Sequence, residues 1–314
     1  MLYNTRNLLC AISVILFLYT QYGPYVESRC VLKTTRSTES TKDLFIGRCL
    51  HFQTFVNSAP FCSEPKNCST LWELFLSGFA HQTPCNSSSD GFKPFLDAAY
   101  HDTPRDKLIF WSGVYDLVTR YTNNGKKRIS VTNTLTGYLV DGLTFCGSNT
   151  SVDGNEADLT SCKRCPDSTY AAFWSIASIN YAQSAKGSIE IMLNASRSPA
   201  FRSNSFFGSK ELPNLNSNVT SARLILVHYV GYQPKETCSS PSVKNLTSIL
   251  TSKNIQTVCV EQPRDVEMLQ CADFPGSQPA ACNNIFVSSG SARQGVSMVA
   301  SVAVAIISVI LWLV

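Results

Sequence analysis

Leu224-Ile-Leu-Val-His-Tyr-Val230 is an apolar run rich in branched side chains; Val243, Leu246 and Leu250 come after it at helical spacing, and a second run, Ile255-Gln-Thr-Val-Cys-Val260, comes next. Such runs read as buried strands, and the spacing between them reads as an amphipathic helix. A strand, a helix and a strand in that order require parallel strands joined by a crossover. Just upstream, Ile189, Ile191 and Leu193 recur at every second position and supply another strand.

Towards the N-terminus the pattern turns helical. Thr70-x-x-Glu73 has the form of a capping box, with Leu71, Leu74, Phe75, Gly78 and Phe79 at helical spacing behind it. Leu108, Trp111, Tyr115, Val118 and Tyr121 predict a second helix, ending near Asn123-Asn124-Gly125. Thr169 is placed to cap a third, with Trp174, Ser178 and Tyr181 on one face. The expected fold class is therefore α/β: a mostly helical subdomain, about 29–130 and 166–186, packed on a small parallel α/β subdomain, about 131–165 and 187–285.

Both ends of the chain are apolar. Arg6, the apolar run 8–19, Gly23-Pro24 and the small Ser28 have the order of a secretory signal peptide, predicted over 1–28. Residues 296–314 carry no charge, and small residues (Ser288, Ser289, Gly290, Ser291, Ala292) precede them. That order predicts a GPI-attachment signal over 288–314, with attachment at Ser288 or nearby. The remaining 29–287 has the length of one large domain or two small ones and is read as one. Between the ends, 24 basic and 21 acidic side chains leave a net charge of +3, which excludes a nucleic-acid binder built on a basic surface.

Of 13 cysteines, Cys10 falls in the predicted signal peptide. The even remainder behind a secretory signal argues for disulfides formed in an oxidising compartment. Cys162-Lys-Arg-Cys165 has the spacing of a zinc or redox pair as well as of two disulfide partners, but no second CxxC, HxxxH or HExxH accompanies it, and no metal is expected. N-glycosylation sequons at Asn67, Asn86, Asn149, Asn194, Asn218 and Asn245 agree with an extracellular domain on the outer membrane leaflet.

GxGxxG, P-loop and GxSxG motifs are absent, which argues against a Rossmann dehydrogenase, an NTPase and an α/β-hydrolase. What remains is sparse: Trp111 and Trp174, core residues or ligand platforms, and the acids Asp141 and Glu211, the latter in a loop between predicted strands.

Four stretches resemble the ADP-ribosyl cyclase and NAD+ glycohydrolase family, in particular its GPI-linked flatworm members. They are Ile109-Phe-Trp-Ser112; Thr134-Leu-Thr-Gly-Tyr-Leu-Val-Asp141 running on to Phe145-Cys-Gly147; Ala172-Phe-Trp174; and Ile191-Met-Leu-Asn-Ala-Ser-Arg-Ser198 continued by Asn204-Ser-Phe-Phe-Gly-Ser-Lys-Glu211. The likeness runs from Cys49 to Cys282. It implies the disulfides Cys49 with Cys68, Cys85 with Cys165, Cys146 with Cys162, Cys238 with Cys259 and Cys271 with Cys282. Cys30 and Cys62 are left over and are expected to pair. An additional bridge of mammalian members is missing, since Arg105 and Lys186 stand about where its cysteines would be.

The resemblance further implies NAD+ and related dinucleotides as substrates, no resident cofactor, Glu211 as the catalytic carboxylate, and Trp111 and Trp174 beside the nicotinamide. Ser112, Asn133, Asp141, Ser178 and Phe207 are expected to bind substrate, and the Ser205 to Ser209 loop to contact the pyrophosphate. Where many members carry a Glu-Asp pair, this chain has Thr132-Asn133, so hydrolysis is expected to dominate over cyclisation. Asp141 either steadies the substrate amide or serves the structure. Two other functions share these features: an inactive GPI-anchored adhesion or receptor module, and transfer of ADP-ribose to proteins, for which no R-S-EXE type motif is present.

Overall fold

The computed structural model describes residues 40–56, 65–80, 82–83, 85–123, 125–147, 162, 165, 168–272 and 282. Four strands, β1 (Ile109–Ser112), β2 (Gly187–Asn194), β3 (Val219–Val227) and β4 (Gln256–Glu261), form one sheet in the order β1-β2-β3-β4. Every pairing is parallel, with Ile109 opposite Glu190, Ile191 opposite Leu224 and Leu224 opposite Cys259.

Parallel strands need covering on both faces, and β2 and β3 meet that need. Ile189, Ile191, Leu193, Leu224 and Leu226 enter the main core, whereas Met192, Ile225 and Val227 enter a smaller cluster on the other face. The β3 to β4 crossover is α7 (Pro241–Ser252), whose Val243, Leu246 and Leu250 are fully buried. Glu190 also faces the smaller cluster; at 3% exposure it is neutralised by Arg128 at 2.9 Å and Arg223 at 3.2 Å.

The main core is largely aromatic. The helices α1 (Thr41–His51), α2 (Cys68–Ser77), α3 (Lys93–Ala99), α5 (Leu135–Val140) and α6 (Thr169–Gln183) surround Phe75, whose ring lies 5.0–5.7 Å from those of Phe45, Phe79, Phe95, Phe145 and Phe173. Among the described residues five disulfides are formed: Cys49 to Cys68, Cys85 to Cys165, Cys146 to Cys162, Cys238 to Cys259 and Cys271 to Cys282. These are the pairs the family resemblance implies. Cys30 and Cys62, both chain ends and Asn149 lie outside the described residues. Lys186 pairs with Asp102 at 2.7 Å and Arg105 with Asp106 at 3.8 Å.

Three local expectations are corrected. The helix predicted through Leu108, Trp111 and Tyr115 is a strand followed by a shorter helix, α4 (Tyr115–Tyr121). Leu108 and Phe110 enter the main core while Ile109 is buried in, and Trp111 packs against, the smaller cluster, the two-residue period of a strand. Accordingly β1 belongs to the sheet although it falls within 29–130. The described part of 131–165 is conversely helical: a 3-10 turn, Val131–Asn133, and α5, which packs Leu135, Leu139 and Val140 into the main core. Finally, the caps sit elsewhere. Asn67, not Thr70, caps α2 by accepting the Thr70 N–H at 3.1 Å, and Ser168, not Thr169, caps α6 by accepting that of Ala171 at 3.2 Å. Thr169 is buried and bonds Ser87 at 2.8 Å.

Candidate active site

Beyond the C-terminal end of β1, a cavity of about 460 Å³ collects side chains from six places in the chain. β1 contributes Trp111 and Ser112; α4 contributes Tyr115; the 3-10 turn contributes Thr132; and α5 ends at Asp141. Tyr170, Trp174 and Ser178 descend from α6. Arg197, Arg202, Asn204, Ser205, Phe206 and Glu211 come from the segment between β2 and β3.

Glu211 ends a wide π-helical turn, Phe207–Glu211, and only 6% of it is exposed. Its Oε1 accepts a hydrogen bond of 3.1 Å from Ser178 Oγ, one helical turn beyond Trp174. Burial pushes its carboxyl up to about 8, and the Ser178 bond opposes only part of that rise. A buried carboxyl so displaced from its ordinary value, in a cavity, marks a candidate functional group. Trp174 is buried and packs edge-on against Phe173 at 5.2 Å, so the aromatic core fixes its plane. Trp111 is half-buried, 5.6 Å from the ring of Tyr115.

Asp141 also lines the cavity. Burial raises its carboxyl pKa, against a 2.8 Å hydrogen bond from Tyr115 Oη and the field of Arg48. Arg48 also donates to the Asp141 backbone carbonyl at 2.6 Å, tying the end of α5 to α1. At the other end, Gly137 lets α5 lie against the backbone of Val131, where any Cβ would collide with the Val131 carbonyl. That contact sets Thr132 on the cavity wall.

An ADP-ribosyl cyclase family model matches residues 38–280. The ADP-ribosyl cyclase/cyclic ADP-ribose hydrolase of Aplysia californica is 35% identical over 245 residues, covering 77% of this chain and 86% of that one. The chain belongs to the ADP-ribosyl cyclase family. ADP-ribosyl cyclase/cyclic ADP-ribose hydrolase 1 of Rattus norvegicus is 32% identical over 253 residues, 79% of this chain and 82% of that one. Among solved structures, the Aplysia cyclase with substrate NGD and product cGDPR superposes with a TM-score of 0.71 at 35% identity, over 77% of this chain and 96% of that one. A CD38 structure described as a covalent enzyme-substrate complex gives 0.64 at 29% identity, over 72% and 92%.

In this ADP-ribosyl cyclase family chain, the cavity brings together Trp111, Ser112, Asp141, Trp174, Ser178 and Glu211 of the residues expected from sequence. Two others are displaced by one position. Asn133 faces away: its Oδ1 accepts the Ser130 N–H at 2.9 Å and the Ser130 hydroxyl at 2.8 Å, closing a capping box, and Thr132 takes the wall. Phe207 is 1% exposed, packed on Phe110 and Phe201 beneath the floor, while its neighbour Phe206 is 44% exposed and lines the cavity. The hydroxyls of the Ser205 to Ser209 loop are also taken: Ser205 Oγ donates to the Arg202 carbonyl at 2.7 Å and Ser209 Oγ to that of Ser205 at 2.8 Å. Tyr115, Tyr170, Arg197 and Arg202 join the site without a sequence expectation. Arg197 stands within a family motif, but a motif does not reveal whether an arginine is paired. Among the described residues no cluster of His, Cys, Asp or Glu could hold a metal ion.

Proposed function

We propose that the chain is an extracellular NAD+ glycohydrolase, releasing nicotinamide and ADP-ribose from NAD+ with little or no cyclic ADP-ribose. One observation carries the reading: Glu211, buried and held by Ser178, shares its cavity with Trp111 and Trp174. The nicotinamide of NAD+ is a cation and leaves with the electron pair of the glycosidic bond, so no proton has to be delivered to it. Positive charge develops on the ribose carbon and ring oxygen instead. Ionised Glu211 stabilises that charge, as the paired carboxylate does in retaining glycosidases, and the indole faces favour the cationic ring before departure. Water then adds to the ribosyl carbon and loses a proton, which completes hydrolysis with no resident cofactor.

Cyclisation requires the adenine of the same molecule to reach that carbon before water does. Thr132 lines the cavity as a neutral side chain whose hydroxyl is bonded to Ser130 at 2.8 Å, so the wall there offers no charge to hold a folded-back substrate. Incubation of the purified protein with NAD+, followed by chromatography, is expected to give ADP-ribose as the dominant product. Cyclic ADP-ribose as a major fraction would overturn the hydrolytic preference. Absence of nicotinamide release would overturn the whole assignment.

The proposed location is the outer face of the plasma membrane through a GPI anchor, supported by the apolar ends, the sequons and the disulfides. Asn67, Asn86, Asn218 and Asn245 are exposed. Asn194 is half-buried, and its Nδ2 donates to the Gly113 carbonyl at 3.2 Å beside the cavity. Mass spectrometry of the cell-surface protein is expected to find glycans on the four exposed sequons, a bare Asn194 and an anchor remnant near Ser288. Four bare sequons would refute the secretory route.

A further inference from the structure

The cavity that holds Glu211 also carries two guanidinium groups, Arg197 and Arg202, and neither has a carboxylate partner among the described residues. By contrast, Arg128 and Arg223 pair with Glu190, and Arg105 pairs with Asp106. The half-buried Arg197 is repelled by Arg202; burial and that neighbour both lower its pKa, with only Tyr229 opposing. Glu211 leaves the pair unneutralised: its carboxyl bonds Ser178, and no ion pair joins it to either arginine among the described residues. A buried carboxyl and two guanidinium groups therefore line one cavity with no ion pair between them among the described residues. Keeping two like charges together without an anion is unfavourable unless a ligand supplies one.

The local geometry is shaped around Arg197. One Nη donates to Ser112 Oγ at 2.9 Å, while Nε is buried with no acceptor among the described residues. The guanidinium lies over Gly113, where a Cβ would stand 2.5 Å from Nη1 and 2.6 Å from Cζ. Gly113 has φ +75°, a conformation that itself favours glycine. The residue ending β1 thus fixes the guanidinium and the next residue leaves room for it.

We propose that Arg197, assisted by Arg202, binds the phosphate oxygens of the substrate, so that the site selects dinucleotides by their pyrophosphate as well as by their cationic ring. This rests on the glycohydrolase reading for the identity of the substrate. NAD+ carries a cation at one end and a pyrophosphate beyond the ribose, which matches a cavity with a carboxylate and an arginine pair held apart. A guanidinium suits this task because its planar fork meets two phosphate oxygens at once.

The test compares NAD+ with nicotinamide riboside, which has the same scissile bond and no phosphate. Arg197→Gln is expected to lower kcat/KM for NAD+ by about 30-fold, mainly through KM, as for loss of a hydrogen bond to a charged group, with the riboside changing less than about 3-fold. Arg197→Lys should recover part of the loss, and the exposed Arg202→Gln should show a smaller loss of the same kind. Gly113→Ala should reproduce the Arg197→Gln defect, with the double variant no worse than the single ones, because both remove one interaction. Equal losses on both substrates, or none on NAD+, would overturn the inference. If the wild-type protein releases no nicotinamide, calorimetric titration with ADP-ribose decides separately. Binding weakened at least about 10-fold by Arg197→Gln supports the arginine site. Equal binding, or none to the wild type, sinks it.

Discussion

Glu211→Gln is expected to lower nicotinamide release from NAD+ by about 10³-fold, the upper range for removal of one preorganised electrostatic group. The amide preserves shape and still accepts the Ser178 hydrogen bond, so the loss isolates the charge. Steady-state kinetics with a nicotinamide readout measures it, and activity within about 10-fold of wild type would contradict the assigned role. The pH dependence gives a second signature. In the empty site the carboxyl titrates near 8, so much of it is neutral at pH 7. A bound cationic ring favours the ionised form. Hence kcat/KM should rise with pH to a midpoint near 8, while kcat reaches its plateau at lower pH. Glu211→Gln should abolish both limbs.

The same charge bears on stability. The folded carboxyl titrates near 8 against the ordinary 4.5, so the folded state holds its proton where the unfolded chain has lost it. Stability from this group is present below about pH 4.5 and falls as pH rises towards 8. Glu211→Gln should therefore raise the melting temperature at pH 8, with a gain on the order of a few kcal/mol, and should leave it nearly unchanged at pH 4.

Phe75→Ala is expected to have the largest effect on stability. The side chain is fully buried and touches five phenylalanines from different elements at 5.0–5.7 Å. Removing it costs about 3–5 kcal/mol, since the rings around it cannot all collapse into the gap. At this chain length that lowers the melting temperature by roughly 2–4 °C per kcal/mol. One of the flanking rings, Phe173, abuts Trp174, so the variant should also lose activity at temperatures well below its melting point. A thermal shift under about 3 °C would mean that the core repacks around the gap.

β2, β3, β4 and α7 were legible because their apolar residues alternate, run unbroken or recur at helical spacing over elements of six to twelve residues. β1 escaped because it is four residues long and its apolar positions run by coincidence into the register of the helix after it. Motif resemblance located Trp111, Trp174 and Glu211, which the fold brings to one cavity. It missed the cavity wall by one residue at Asn133 and at Phe207. In both cases a short non-α turn, 3-10 or π, decides which of two neighbours faces inward, and no motif encodes that rotation. The arginines were visible as letters, but their lack of counter-charge is a property of the assembled surroundings.

The position of β1 also sets when this protein becomes competent. Among the four strands its partner is β2 alone, and the bond from Asn194 to Gly113 closes a loop of 81 residues. While the chain is being made, Trp111 and Ser112 wait on an unpaired strand until residues 187–194 arrive, and Glu211 comes later still. Such long closures are slow relative to local helix formation. The helical half can therefore consolidate and begin to form its disulfides on a chain that has no catalytic centre. A chain that stops before Glu211 lacks the site's buried carboxyl however well its helices have folded.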